Sequence, residues 1–383
     1  MMKTLFIRVA LILFFLSLCD ENGVAQTVNK ESTWQKIAPF FASPDLFKRE
    51  YGYYRSPLKF YNGREVKNPA DWIKRRTEIL DRWNGLMGKW PALITNQKLE
   101  YLDSIRKNGF TQYQVRFNWV PGQKTNGYLL VPDGKGKMPA VITVYYEPET
   151  AAGLGRPDLP DRDFAYQLCK RGFVTLSLGT TENTNSKTYS IYFPGIQNAS
   201  VQPLSMLAYA AANAWNVLAK VQNVDSKRIG IMGHSYGGKW AMFASSLYDK
   251  FACAVWSDPG IVFEDSRESI NYWEPWYLGY HPQPWRKRGL ITNENPAKGL
   301  YPQLVSEGYN LHELHVLMAP RPFLVSGGSE DPVNRWIPLN HSVAVNDLLG
   351  YKNRVAMTNR PEHTPNPESN EVAYSFLEYY LKY

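Results

Sequence analysis

Residues 228–242 read RIGIMGHSYGGKWAM, and this stretch decides the fold. It begins with an apolar, isoleucine-containing run that predicts a buried strand. Gly233-His234-Ser235-Tyr236-Gly237 then matches the pattern G-x-S-x-G, and a helix-favouring segment follows from Lys239 to Leu247. Strand, motif and helix in this order predict a sharp turn that lifts the Ser235 hydroxyl above the sheet edge. The first N–H groups of the new helix then lie where an oxyanion would form.

Two other interpretations of this stretch compete with the first. G-x-S-x-G arises by chance in many proteins. The same residues also scan as Gly233-x4-Gly238-Lys239, one residue short of a phosphate-binding loop, which would bind a nucleoside triphosphate. That loop needs Ser or Thr after the lysine to hold Mg²⁺, whereas Trp240 follows here. The phosphate interpretation is therefore disfavoured, and the rest of the chain must support the first one.

Strand and helix patterns alternate from residue 113 to the end of the chain. The predicted strands are 113–119, 125–131, 140–146, 173–178, 251–256, 323–326 and 354–358, and the main predicted helices are 161–171, 203–221, 337–349 and 369–381. This alternation predicts an α/β domain over 113–383, with a mainly parallel sheet covered by helices on both faces. Residues 26–112 are predicted to form a mostly helical N-terminal extension packed on that domain. The segment 261–310 lacks the alternation and is predicted to be an aromatic-rich insertion over the sheet edge.

The first 25 residues have the features of a secretory signal peptide. Lys3 and Arg8 precede an apolar run, 9–18, that is too short to span a bilayer, and small residues stand at 23–25. We expect cleavage after Ala25 and export as a periplasmic or secreted protein. Lipidation at Cys19 is the alternative and would be the one route to a membrane, but the bulky residue before that cysteine disfavours it.

Composition narrows the classes of partner. The formal net charge of +8 favours acidic ligands, such as an acidic polysaccharide or oligosaccharide. Nucleic acid is excluded as a partner, because the chain contains no basic run and no nucleic-acid motif. Cys169 and Cys253 stand in helix and strand patterns and are predicted to be small buried hydrophobic residues. The sequence is silent on the oligomeric state.

A nucleophilic serine needs a base, and the base needs an orienting carboxylate. Of the six histidines, His363 stands in a loop after the last predicted strand, which is where this chain order places the base. For the acid we favour Asp331, in the loop after strand 323–326. Asp258, at the end of the preceding strand, is the main alternative, and Glu330 is a weaker third.

Two backbone donors are expected to bind the oxyanion. One is the N–H of Tyr236, directly after the serine. The second is expected from the loop after strand 140–146, near Tyr146 and Glu147, which lacks the His-Gly that many esterases carry there.

From residue 113 onward the chain resembles α/β-hydrolases of the dienelactone hydrolase and acetyl xylan esterase-like group. The residues that carry the resemblance are Ala319-Pro320-Arg321-Pro322, the Asp331 loop and the late His363. More distantly, it resembles the glucuronoyl esterases and related bacterial carbohydrate esterases, whose G-x-S-x-x-G-K elbow is matched by Gly233, Ser235, Gly238 and Lys239. In those enzymes the lysine contacts sugar hydroxyls, which the resemblance implies for Lys239. Those enzymes usually carry an arginine as an oxyanion donor at the position of Tyr236. This departure from the family pattern argues against specificity for a uronate ester.

The insertion suggests the substrate. Aromatic and cationic side chains, Trp273, Trp276, Trp285 and Arg286, are predicted to form a platform for a sugar. The sequence therefore predicts an exported serine esterase acting on a uronic acid methyl ester or an acetyl ester of a plant cell-wall polysaccharide, with no metal or organic cofactor. The alternatives are a prolyl-oligopeptidase-like peptidase and a non-catalytic carbohydrate-binding protein on a hydrolase scaffold.

Overall fold

The computed structural model describes residues 29–155, 158–180 and 190–383. The predicted signal segment 1–25 and Cys19 lie outside these residues. The described residues form a nine-stranded sheet in the order β1-β2-β3-β5-β4-β6-β7-β8-β9. The strands are β1 Glu100–Lys107, β2 Phe110–Val120, β3 Gln123–Pro132, β4 Met138–Tyr145, β5 Val174–Gly179, β6 Val224–His234, β7 Ala254–Ser257, β8 Phe323–Gly327 and β9 Val355–Asn359.

The sheet is antiparallel at one side and parallel elsewhere. β1, β2, β3 and β5 pair antiparallel, and the six strands β5, β4, β6, β7, β8 and β9 pair in parallel. The order of the parallel strands brings the carboxyl ends of β6, β7, β8 and β9 to one edge. Residues that follow these four strands can therefore meet.

Helices cover both faces of this sheet. They are α1 Lys30–Ile37, α2 Pro69–Met87, α3 Pro148–Ala151, α4 Phe164–Lys170, α5 Pro203–Leu218, α6 Tyr236–Leu247, α7 Tyr301–Ser306, α8 His312–His315, α9 Trp336–Leu348 and α10 Pro367–Lys382. The Asn68 side chain caps α2 by accepting from the Asp71 N–H, at the start that Asn68-Pro69 predicts.

Alternate residues of each parallel strand belong to different cores. In β8, Phe323 and Val325 pack in the core that includes α5 and α6, whereas Leu324 packs in the core that includes α1, α4 and α10. β6 repeats the pattern with Ile231 and Met232. Side chains of a strand point alternately to its two faces, so a sheet buried on both faces has near-continuous apolar strands. This is why the strand predictions for 140–146 and 323–326 agree with β4 and β8.

The N-terminal extension differs from its prediction. Residues 100–112, assigned to a helical extension, instead form β1 and the start of β2 and belong to the sheet. β1 is an edge strand whose first seven residues are exposed, so it has neither the apolar run of a buried strand nor a clear alternation.

The rest of the extension packs into the main domain through a buried carboxylate. Glu313 of α8 is fully buried and accepts from the Trp83 Nε1–H, the Tyr61 hydroxyl and the Arg55 guanidinium, at 3.0, 3.0 and 3.3 Å. Burial raises the pKa of Glu313, and the neighbouring Arg55 opposes that shift. All three donors come from the extension, so their binding to Glu313 joins the two parts of the chain.

Cys169 and Cys253 are free thiols buried in the core, as predicted. Burial raises the pKa of Cys169 to about 12. Within the described ranges, no helix is both long enough and apolar enough to cross a membrane.

Candidate active site

The turn between β6 and α6 holds Ser235 in a strained backbone conformation. Ser235 has φ +57° and ψ −115°, a region that residues with a side chain rarely occupy. Its N–H donates to the Ser257 carbonyl at 2.8 Å, which fixes the turn against β7. The turn admits no larger neighbours: a Cβ on Gly233 would collide with the Gly237 carbonyl, and one on Gly237 with the Val144 carbonyl. The predicted strand, turn and helix are therefore present at Ser235.

His363 lies in the loop between β9 and α10 and reaches Ser235. The Ser235 Oγ–H donates to His363 Nε2 at 2.8 Å. On the other side of the ring, His363 Nδ1–H donates to Asp258 Oδ2 at 2.7 Å. A carboxylate accepts only, so this second bond fixes the tautomer that leaves Nε2 able to take a proton.

The structure corrects the choice of acid from Asp331 to Asp258, the alternative. Asp258 follows β7 with φ +50°, and this left-handed turn brings its carboxylate to the imidazole. Asp331 instead accepts from the backbone N–H groups of Gly260 and Ile261 at 2.8 and 2.6 Å. Asp331 therefore holds the loop that follows Asp258 and does not contact the histidine. Burial, and after it the charge of Asp258, raise the pKa of Asp331.

Asp258 and Asp331 each accept hydrogen bonds from the loop that carries the other. Asp258 Oδ1 accepts from the N–H groups of Gly328 and Asp331 at 2.6 and 2.9 Å, while Oδ2 accepts from the Glu330 N–H at 3.3 Å. Both side chains are fully buried. Backbone N–H groups satisfy carboxylates that water cannot reach, so the loops after β7 and β8 are fixed as one unit.

Arg360 is a site residue that the sequence analysis missed. It is buried, and its guanidinium donates to the carbonyls of His363 (2.6 Å), Thr364 (2.9 Å) and Ser326 (2.7 Å). These bonds tie the histidine loop to the end of β8. Burial lowers the pKa of Arg360, and the charges of Asp258 and Asp331 partly offset this. Its position three residues before His363 was the only signal available.

His234 packs on the ring of His363, with centroids 4.7 Å apart. Its Nδ1 lies 3.2 Å from the Ser257 carbonyl oxygen, to which it donates. Burial, and then the neighbouring His363, lower the pKa of His234 well below its usual value, so it is neutral and serves as a packing surface.

The two residues expected at the oxyanion site lie side by side. Tyr236 begins α6, so its backbone N–H lies at the helix N-terminus, next to the Ser235 hydroxyl. Its ring stacks on Tyr146 with centroids 4.7 Å apart and planes at 18°. Its hydroxyl lies 3.0 Å from Thr180 Oγ1, at the end of β5. The phenol is thus directed to the neighbouring loop.

Lys239 has a different environment from the sugar contact that the resemblance implies. It is 4% exposed, and Nζ donates to the Pro259 carbonyl, directly after Asp258. The ammonium lies over the rings of Tyr272 and Tyr277, at 4.6 and 5.8 Å from their centroids. Burial lowers the pKa of Lys239 to about 8, opposed by nearby carboxylates, first of all Asp331. Its described contacts therefore hold the loop that carries Asp258.

Two members of the predicted aromatic and cationic platform are internal. Trp273 is fully buried and donates to the Gly289 carbonyl at 3.0 Å. Arg286 is paired with the buried Glu274 at 2.7 Å. A buried charge needs such a partner. Both side chains also bind the backbone of the insertion, Arg286 through the Leu290 and Asn295 carbonyls and Glu274 through the Gly289 N–H. These two predicted platform positions are therefore corrected to structural contacts.

The other two members of the platform stay partly exposed. Trp276 and Trp285 are half-buried, with ring centroids 6.5 Å apart. The Trp285 Nε1–H donates to the His281 carbonyl at 3.0 Å, which fixes that ring. Across 29–155, 158–180 and 190–383, no group of three His, Cys, Asp or Glu side chains is arranged to hold a metal ion.

Known proteins resemble this chain both in sequence and in structure. A sequence profile described as the prolyl oligopeptidase family matches residues 211–352. A 4-O-methyl-glucuronoyl methylesterase of Podospora anserina is 24% identical over 218 residues, which are 53% of this chain and 40% of that protein. The aligned region thus spans well under half of that relative's length.

Solved structures extend the likeness across most of the chain. A glucuronoyl esterase from Solibacter usitatus superposes with a TM-score of 0.68 and 18% identity, over 86% of this chain and 99% of that one. A putative acetyl xylan esterase from Bacteroides fragilis superposes with a TM-score of 0.53 and 15% identity, over 80% and 83%. These likenesses confirm the α/β-hydrolase fold and the resemblance to both groups that the sequence analysis stated.

Proposed function

We propose that this chain is an exported serine esterase that cleaves a carboxylic ester on a plant cell-wall polysaccharide, first of all the methyl ester of a uronic acid. The observation that carries the proposal is the hydrogen-bond chain from Asp258 through His363 to Ser235. The methylesterase likeness favours the methyl ester over the acetyl ester, and the net charge of +8 favours an acidic polymer. Export rests on the signal-like residues 1–25.

The proposed reaction runs in two steps. His363 Nε2 takes the Ser235 proton as Oγ attacks the ester carbonyl, and Asp258 stabilises the imidazolium. The N–H of Tyr236, at the start of α6, faces the developing oxyanion. His363 then gives its proton to the leaving alcohol, which departs and leaves an acyl-enzyme. A water molecule deprotonated by His363 releases the acid and restores Ser235.

The reaction product distinguishes the two ester classes. We expect the protein to release methanol from a methyl-esterified glucuronoxylan or pectin at a rate at least about ten times that of acetate release from acetylated xylan, a preference of about 1.4 kcal/mol. Methanol and acetate are measured in parallel, with the Ser235→Ala protein as the blank. Faster acetate release would reassign the substrate to the acetyl ester. Release of neither product would contradict the esterase proposal.

The profile match to prolyl oligopeptidases makes a peptidase the second candidate. A panel of proline-containing peptide amides tests it under the same conditions. Cleavage of these amides without cleavage of any ester would favour the peptidase.

An ester substrate that contains no sugar distinguishes two possible roles of Lys239, positioning the Asp258 loop and contacting the sugar. Lys239→Met keeps a long apolar chain over the Tyr272 and Tyr277 rings but removes the bond to the Pro259 carbonyl. If Lys239 positions the Asp258 loop, kcat on p-nitrophenyl acetate should fall about 10- to 100-fold, as expected for a small misplacement of a reacting group. If it contacts only sugar, kcat on this ester stays unchanged and KM rises on the polysaccharide alone. We expect the first result.

A further inference from the structure

An aromatic cavity of about 580 Å³ opens between the N-terminal extension, the insertion and α9. Five rings line it: Tyr53, Tyr54, Phe263, Tyr301 and Tyr309. The volume is within the range of small-molecule sites. Phe263 belongs to the insertion that follows β7, five residues after Asp258. The lining of the cavity shares no residue with the site described above.

Residues 47–55, here called the tyrosine segment, form one wall of the cavity and are fixed by buried side chains. Asn340 Nδ2 donates to two carbonyls of the segment at 2.7 Å each, His341 Nε2 to one at 3.0 Å, and His312 Nε2 to one at 2.7 Å. The carbonyls are those of Phe47, Glu50, Tyr51 and Arg55. All three donors are 5% exposed or less. The backbone on both sides of Tyr53 is thus pre-organised, which lowers the entropic cost of binding.

Gly52 lets this wall approach α9. It has φ +59°, and a Cβ there would lie 3.0 Å from Ile337 Cγ2, another lining atom. The next residue, Tyr53, is fully exposed, and its ring contacts no other ring in the described parts of the chain. A large exposed ring on a rigid backbone, at the mouth of a cavity, provides a flat apolar face for a ligand.

The floor of the cavity is built from packed rings. Tyr301 packs on Phe263 with centroids 5.1 Å apart, and Tyr309 packs on Trp83 at 5.9 Å. Tyr54 packs on His312 at 5.1 Å. These contacts hold the rings in place, so the cavity shape does not depend on a ligand.

Two polar groups line the same cavity. Asp265 is exposed and accepts from the Tyr301 hydroxyl through Oδ1. Asn310 Oδ1 accepts from the N–H groups of Phe263 and Leu311 at 3.0 and 2.7 Å, while its Nδ2 has no bonded partner among the described residues. A carboxylate that accepts, an amide that donates and flat rings are the groups that bind the hydroxyls and C–H faces of a sugar.

The charge of the lining selects among sugars. Asp265 is its one ionisable carboxylate, and no lysine or arginine is among the described lining residues. Arg55 packs over the lining ring of Tyr309, 4.5 Å from its centroid, but it is paired with the buried Glu313 at 3.3 Å. A uronate would therefore meet the like charge of Asp265 without a free cation in the lining to offset it. We propose that this cavity is a second, non-catalytic site that binds neutral sugar residues of the polysaccharide. The site goes beyond the proposed esterase function and depends on it only for the choice of polymer.

Binding of an unesterified, neutral oligosaccharide tests the site without catalysis. We expect the full-length protein to bind xylohexaose with a Kd of about 0.1–1 mM in calorimetry. Tyr53→Ala should weaken binding about 10-fold or more through loss of one stacking face. The matched control is Tyr101→Ala, which removes an exposed tyrosine from β1 and should leave Kd unchanged. Both variants should hydrolyse p-nitrophenyl acetate at the wild-type rate.

Two further variants test the polar groups. Asn310→Asp keeps the acceptor for the two backbone N–H groups but removes the donor, and should weaken xylohexaose binding about 5- to 10-fold. Asp265→Asn should strengthen binding of an oligogalacturonate relative to xylohexaose. No measurable xylohexaose binding by the wild type, or an unchanged Kd for Tyr53→Ala, would overturn the cavity site. Neither result would bear on the esterase proposal, which the release of methanol tests separately.

Discussion

Ser235→Ala is expected to lower kcat on an ester substrate by about 10⁵- to 10⁶-fold while leaving the fold intact. Its hydroxyl is the only group that the turn between β6 and α6 presents to His363 Nε2, at 2.8 Å. Removing one oxygen takes away the attacking atom, whereas the backbone bond from the Ser235 N–H to Ser257 remains. The residual rate then comes from substrate binding and the oxyanion donors alone.

The measurement combines kinetics with covalent labelling. Wild-type protein should react with a fluorophosphonate probe at Ser235, and the alanine variant should not. Ser246→Ala is the matched control, because Ser246 lies on the same α6 and its buried hydroxyl has no hydrogen-bond partner in the described residues. This control should keep both labelling and turnover. Full activity in Ser235→Ala would sink the esterase mechanism.

Asp258→Asn should lower kcat about 10⁴-fold, because an amide stabilises the wrong imidazole tautomer and carries no charge to balance the imidazolium. Asp331→Asn should lower kcat about 10-fold at most, since its carboxylate binds the Gly260 and Ile261 N–H groups and lies 3.6 Å from Arg335 Nε but does not bind His363. The ratio of the kcat values of Asp331→Asn and Asp258→Asn therefore identifies the acid that orients His363. Glu330→Gln serves as the control, because that side chain binds Ser269 and does not reach His363.

Each of the two substitutions can lower kcat either by destabilising the loops after β7 and β8 or by removing a catalytic group, and the melting temperature distinguishes these effects. Both aspartates accept several backbone N–H groups, so both amides should lower the melting temperature. A similar loss of stability with a thousand-fold difference in kcat would support Asp258 as the acid. Equal losses of kcat, or a larger loss for Asp331→Asn, would falsify the assignment.

Local patterns were sufficient to predict the elbow and the base. The strand, G-x-S-x-G and helix were contiguous, and His363 was the one histidine in a loop after the last strand. The acid could not be chosen in this way. Asp258 and Asp331 follow adjacent parallel strands, so both emerge at the same sheet edge. The positive φ of Asp258 decides which of them turns toward the imidazole, and no residue pattern announces that angle.

The insertion was misread for a related reason. Trp273 and Arg286 were assigned to ligand contacts because aromatic and cationic residues often bind sugars, whereas Lys239 of α6 was assigned through the resemblance to the glucuronoyl esterase elbow. Their internal partners, among them Glu274 and the Pro259 carbonyl, lie elsewhere in irregular segments. Periodicity reports which residues of a helix or strand are buried, but it does not apply to loops, so burial there could not be predicted.

The buried carboxylate of Glu313 also has a consequence for the order in which the chain acquires its structure. Its partner Trp83 is 230 residues earlier in sequence, and Tyr61 is 252 residues earlier. At about 5–20 residues per second, synthesis separates them by roughly 10 to 50 s. Throughout that interval the Trp83 indole lacks the carboxylate to which it donates in the native structure. The native contacts of Tyr61 and Trp83 with Glu313 therefore form only after the last third of the chain has been synthesised. Apolar surface of the extension that is exposed until then is at risk of aggregation.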